Sequence, residues 1–157
     1  MSKIIPINVK KKPDRNLSMG GSDSTRIMRG DGLELWQEKI GLKNPDNLSD
    51  VLSVQIGIAT ERVNLDWLER DIEEDITRNV CVEPKNYLTS NLDGYVESEN
   101  MCAEAKHTYE SNTLEKVIET NFAQLQHYMM HSDTDSMYIS AIFGNRRWEK
   151  TVIHRDP

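Results

Sequence analysis

Residues 91–107, NLDGYVESENMCAEAKH, constrain the fold more than any other stretch of the chain. Two segments of alternating apolar character flank a short polar turn, the pattern of a β-hairpin. An acid followed by glycine, Asp93-Gly94, lies on one strand, and Glu104-Ala105-Lys106 lies on the next. The two-residue period of a strand puts Glu104 and Lys106 on one face and Ala105 on the other. Both then face Asp93 across the hairpin. Charges gathered inside a sheet are unfavourable unless paired, so two readings compete. In one, the hairpin is solvated and carries ordinary surface charges. In the other, two carboxylates hold a hard divalent cation through oxygen, while the ammonium orients a water or stabilises developing negative charge. The pattern is short and common, and alone it does not separate the two.

The chain has 157 residues, enough for one domain with a sizeable core. With 37% hydrophobic and 29% charged residues it has a soluble composition. No apolar run approaches the roughly 18 residues that span a bilayer. The N-terminus lacks the apolar core of a signal peptide, so a cytoplasmic location is expected. Cys81 and Cys102 form no CxxC pair and read as small core residues of a cytosolic protein, not as a disulfide or zinc site. A net charge of −7 argues against coating nucleic acid by charge alone. It leaves room for an enzyme with a local basic groove and acids gathered around metal.

Residues 1–16 carry Lys3, Lys10, Lys11, Lys12 and Arg15 without helical period, and read as a basic, flexible or loosely docked arm before a single domain, 17–157. A glycine turn ending in Ser22, Asp23 and Ser24 starts a short helix through Met28. Its free N–H groups and serine hydroxyl suit a phosphate, and equally suit a simple cap. A second short helix over 33–40 gathers Leu33, Trp36 and Ile40 on one face. From Leu48 to about Ile72 the pattern is helical, with Leu52, Ile56, Val63, Trp67 and Leu68 on adjacent faces. Gly57 marks a bend or close packing, and Glu61 sits among the expected buried neighbours Ile58 and Leu65. The acids of 69–75 read as a solvated helix end. Strands follow over 79–83 and 86–92, then the hairpin. Asn112 and Glu115 form a capping-box-like start to a helix reaching about Met130. Its apolar face is Leu114, Ile118, Phe122, Leu125 and Met129; Val117, Asn121, Gln124 and Tyr128 form a stripe beside it, aiming Gln124 and Tyr128 at the sheet. Asp133 and Asp135 lack the glycine and distal glutamate of a calcium loop. Strands over 137–143 and 147–153 close the chain. The fold class is α/β, a mixed central sheet flanked by helices.

The order of these pieces resembles the PD-(D/E)XK nuclease superfamily, in particular its YqaJ/lambda-exonuclease-like phage-type exonucleases. The resemblance rests on GGSDSTRIM, GIATER around Glu61, LDGYV at Asp93, AEAKH at Glu104–Lys106 and FAQLQHYM, and covers residues 15 to the end. It implies that Asp93, Glu104, the backbone carbonyl of Ala105 and Glu61 hold Mg²⁺ or Mn²⁺. It implies that Lys106 orients the attacking water and that Gln124 supports the site or the scissile phosphate. Ser22 and Arg15 match positions that meet the terminal phosphate of a DNA strand. The activity implied is 5′→3′ exonucleolytic hydrolysis of duplex DNA ends in phage-type recombination or repair, in the host cytoplasm if phage-encoded. A single-strand annealing protein and homo-oligomerisation are the implied partners. An endonuclease of the same fold and a noncatalytic DNA-end-binding module are the alternatives. Three departures stand out: relatives continue with further helices beyond the last strand, Phe122 replaces a frequent tyrosine, and two cysteines are too few for the iron–sulfur branch.

Overall fold

The computed structural model describes residues 4–6 and 14–157. Six strands form one sheet in chain order: β1 (Ile4–Pro6), β2 (Thr77–Lys85), β3 (Leu88–Val96), β4 (Met101–Thr108), β5 (Ser136–Phe143) and β6 (Arg147–His154). All neighbours are antiparallel except β4 and β5. A parallel pair needs a crossover of a dozen or more residues, and α4 (Leu114–Ser132) supplies it. Three helices precede β2: α1 (Gly21–Met28), α2 (Gly32–Lys39) and α3 (Leu52–Ile72). Lys3, Lys10, Lys11 and Lys12 of the expected basic arm lie outside the described residues, while Ile4–Pro6 pairs along β2.

The expected mixed α/β architecture is what the chain adopts, because each sheet face meets a helix. On one side Leu65 and Leu68 of α3 pack on Ile76, Val96, Ala103 and Tyr138. On the other, Leu125, Tyr128 and Met129 of α4 pack on Val80, Leu92, Cys102, Met137 and Ile139. Each buried leucine, isoleucine, valine or methionine among them contributes about 1.5–3 kcal/mol. α1 packs on α4, and α2 packs on α1 and the 3₁₀ turn at Arg15–Leu17. Among the described residues no helix is long and apolar enough to cross a membrane.

Several expected faces are corrected. In α2 the buried residue is Leu35, while Leu33, Trp36 and Ile40 are more than half exposed, because only one side of that helix is covered. The buried residues of α3 begin at Asn64, so Leu52, Ile56, Ile58, Val63 and Trp67 remain exposed. Gly57 has nothing within 4 Å of a built Cβ, which rules out close packing there. The core line of α4 runs between the two expected stripes, through Val117, Leu125, Tyr128 and Met129, with Phe122 exposed. Its cap is Thr113, whose hydroxyl accepts from the Lys116 N–H at 3.2 Å. Glu69 is more than a solvated helix acid: it accepts from the Ile76 N–H and from Arg78, both at 2.8 Å. Asp133 and Asp135 pair with Arg155.

Candidate active site

β3 and β4 are paired from Val96↔Met101 to Gly94↔Ala103, and the ladder ends there. Asp93 is the next residue, and its Oδ2 accepts the Ala105 N–H at 2.9 Å. A carboxylate thus takes the place of a strand carbonyl where the sheet opens. The pleat reverses at the same point. Val80 and Leu92 pair and enter the core under α4. Arg78, two residues earlier, reaches Asp66 and Glu69 on α3, while its partner Gly94 faces Leu65 and Ile76. Residues two apart on a regular strand share a face. Asn79, between them, is left-handed with φ 51° and makes the switch.

Within β4 the alternation is regular. Ala103 enters the α3 side, and Glu104 and Lys106 face α4. Glu104 is 3% exposed. Its Oε1 accepts the Lys106 ammonium at 2.6 Å and the Gln124 amide at 3.1 Å. Gln124 also accepts from Lys106 at 3.3 Å and donates to the Tyr128 hydroxyl at 2.8 Å. So four expected site residues, Asp93, Glu104, Lys106 and Gln124, are joined at the opening of the sheet, with the Ala105 amide between them. Glu61, half-buried on α3, is reached by the fields of Glu104 and Lys106. No hydrogen bond or ion pair joins it to them among the described residues.

Burial first, and the Glu104 charge second, push the Asp93 carboxyl well above the usual carboxylate range. The same two causes, in that order, raise Glu61. Burial pulls Lys106 down, but the charge and hydrogen bond of Glu104 outweigh it, so its ammonium is retained. Tyr128 is driven well up by burial and then by Glu104, and stays a neutral hydroxyl. One oxygen of this group remains unsatisfied: Glu104 Oε2 is buried without a hydrogen-bond partner among the described residues. An orphaned carboxylate oxygen beside the raised Asp93 carboxyl is chemistry that a hard cation would relieve. Among the described residues no three His, Cys, Asp or Glu side chains stand close enough to form a metal group by themselves. Two side-chain acids, completed by main-chain oxygen and water, fit Mg²⁺, which keeps several waters.

Asn64, one turn after Glu61, is a site-supporting residue that the sequence reading missed. It is 1% exposed; its amide donates to the carbonyls of Lys106 (2.9 Å) and Ser140 (3.0 Å), and its oxygen accepts from the Ser140 hydroxyl and Trp148. The only signal was a polar residue inside an apolar helical stripe. Beside the carboxylates lies a cleft of about 250 Å³ lined by Arg15, Ser22, Gly20, Gly21, Lys39 and Tyr128, among others. Ser22 and Arg15 are both exposed there. The cleft adjoins the acids through Tyr128 and Gln124. α1 starts so close to these two that a Cβ on Gly21 would meet Tyr128 Cε1 at 2.5 Å.

No family model matches the chain, and no curated protein matches it. Solved structures do. An alkaline exonuclease from Laribacter hongkongensis is similar with a TM-score of 0.66 at 16% identity, over 90% of this chain and 79% of that one. The same enzyme in complex with dAMP aligns with a TM-score of 0.66 at 17% identity, over 90% and 80%. A phage-related exonuclease from Haemophilus somnus 129PT aligns with a TM-score of 0.60 at 16% identity, over 94% and 79%. The chain therefore shares the fold of these solved alkaline and phage-related exonucleases.

Proposed function

We propose that this protein is a Mg²⁺- or Mn²⁺-dependent DNA exonuclease acting 5′→3′ on duplex ends. The observation that carries the reading is the orphaned, buried Glu104 oxygen beside Asp93 and Lys106, at the opening of a sheet whose fold is shared with exonucleases. Asp93 and Glu104 would hold the cation with the Ala105 carbonyl, and Glu61 would complete the acidic site from α3. Once bound, the cation supplies neutralisation of phosphate charge and a more acidic water. The rest falls to the chain itself. The Lys106 ammonium orients the attacking water and offsets charge growing on the phosphoryl oxygens. Water oxygen bonds to phosphorus, the bond from phosphorus to the 3′ oxygen breaks, and that oxygen takes up a proton. Gln124 fixes Glu104 and faces the scissile phosphate. Ser22, Arg15 and the amides of Gly21 and Ser22 would receive the terminal phosphate of the strand, since the next two N–H groups, of Asp23 and Ser24, already donate to the Gly20 carbonyl.

The test is degradation of linear duplex DNA in Mg²⁺ by wild type, Asp93→Asn and Lys106→Ala, with covalently closed circles alongside. Each variant should lose about 10²-fold or more in rate, and the circles should survive. At a cation concentration of about 100 times its Kd, wild type should gain about 2.7 kcal/mol of stability by linkage, and Asp93→Asn much less. Equal degradation by all three proteins would sink the assignment of the site. Cleavage of closed circles would make the protein an endonuclease of the same fold.

A further inference from the structure

The cleft assigned to a terminal phosphate has an acid in its wall. Asp23 is 6% exposed, lines the cleft, and closes the first turn of α1 by accepting the Gly20 N–H at 2.9 Å. A buried carboxylate beside an anion site would expel the anion unless its charge were cancelled. Lys39, the last residue of α2, cancels it with Nζ 2.7 Å from Asp23 Oδ2. The same ammonium donates to the main-chain carbonyls of Arg15 at 2.6 Å and Ser18 at 2.7 Å. An ammonium has three donors and no acceptor, so these three bonds use Lys39 completely. It has no hydrogen left for a ligand. What it fixes is the 3₁₀ turn bearing Arg15, the first turn of α1 bearing Ser22, and the sign of the charge between them.

We propose that Lys39 is a positioning residue for the terminal-phosphate site: it sets Arg15 against the Gly20–Ser22 turn and neutralises Asp23, so that the cleft accepts an anion. The inference rests on the end-phosphate reading above. A purely structural tie between α1 and α2 is a different role, and the molecule already has one: Arg26 pairs with Glu38 through two bonds of 2.7 and 2.8 Å. That bridge should keep the two helices together when Lys39 is replaced, and it supplies a control that loosens the same helix pair without baring Asp23.

The experiment compares 5′-phosphorylated with 5′-hydroxyl linear duplexes and reads the ratio of kcat/KM for wild type, Ser22→Ala, Lys39→Met, Arg26→Met and the double variant Asp23→Asn/Lys39→Met. Thermal melts establish that each is folded. Lys39→Met should lower the ratio about tenfold (~1.4 kcal/mol), chiefly through KM for the phosphorylated end. Adding Asp23→Asn should restore at least half of the loss on a logarithmic scale, because the asparagine amide oxygen would still cap the Gly20 N–H yet carry no charge. Arg26→Met should keep the wild-type ratio. If Ser22→Ala loses the preference while Lys39→Met keeps it, the role given to Lys39 is wrong and the end-phosphate reading stands. If Asp23→Asn restores nothing, Lys39 does not act by neutralising Asp23, and the proposal fails. If wild type shows no preference for a phosphorylated end, the reading of the cleft and the role of Lys39 fall together.

Discussion

Asn64 shows how a single side chain sets the geometry of the acids without touching them. Its two donors and its oxygen are all engaged, tying α3 to the Lys106 carbonyl on β4 and to Ser140 on β5. Glu61 precedes it by three residues, on the same side of the helix, so the position of Glu61 relative to Glu104 is inherited from this amide. Replacing Asn64 with leucine takes this partner from two carbonyls and the Ser140 hydroxyl, while the Trp148 indole N–H keeps Ser140 Oγ at 2.8 Å. Each such group costs about 1–3 kcal/mol when no relaxation satisfies it. Asn64→Leu should therefore lower unfolding stability by about 2–3 kcal/mol in urea titrations. It should also lower the proposed nuclease activity more than an equally destabilising change on β6. Equal activity at matched stability would remove Asn64 from the support of the site.

At the level of elements, Gly94 leaves room for the turn that leads from α3 into β2. A Cβ there would stand 2.6 Å from Ile76 Cγ2, so Ile76 and that turn would have to move, while Leu65 Cδ2 on α3 itself, at 3.6 Å, would be in ordinary contact. Gly94→Ala should cost about 1–3 kcal/mol by overpacking. Because that turn leads out of the helix that bears Glu61, the variant should also lower kcat of the proposed reaction with Asp93 and Lys106 intact. Ordinary urea stability in this variant would show that the turn has slack. Most elements were legible in the sequence because their periods are local: the strand alternation of β4, with Glu104 and Lys106 on one face, and the extent of α4. The reversal at Asn79 was not, since left-handed backbone is not marked by asparagine alone. Nor was the outward turn of Leu33, Trp36 and Ile40, because burial of an amphipathic helix depends on which neighbours arrive. Lys39 carries no signal of its role in the sequence, because its three acceptors lie 16 to 24 residues back in the chain, a separation no periodicity reports.

For the molecule as a whole, the titrating groups pull in opposite directions with pH. Burial first, then the neighbouring His127, hold His131 below 6.5, with Lys85 on β2 acting the same way. A depressed histidine binds fewer protons folded than unfolded, so its contribution to stability is whole above pH 6.5 and is lost as pH falls through its folded value. Glu69, held down by the Ile76 N–H and then by Arg78, withdraws its contribution in the same sense as pH falls through the region below 4.5. Asp93 and Glu61, raised by burial and by Glu104, run the other way and are relieved on protonation. Comparing variants isolates one group from the sum. His131→Gln should flatten the melting-temperature profile between about pH 7 and about pH 5, at some loss of stability near neutrality. An unchanged slope there would show that His131 does not carry it.

The order of the sheet has a consequence for how the chain finds its structure. The interfaces β2–β3, β3–β4 and β5–β6 each join strands that follow one another through a short turn. β1 meets β2 only after the excursion through three helices, and β4 meets β5 only when α4 has crossed over. Closing a short loop takes well under a microsecond and a hairpin forms in about 1–10 μs, whereas non-local pairing is slower because chain entropy is spent before contacts form. The hairpin that brings Asp93 beside Glu104 belongs to the fast class. The chain should thus bring these two acids together early, while water still screens them. The dry cover of Tyr128 and Leu125 arrives with the crossover, so the electrostatic strain of the site is imposed late, on a hairpin already in register.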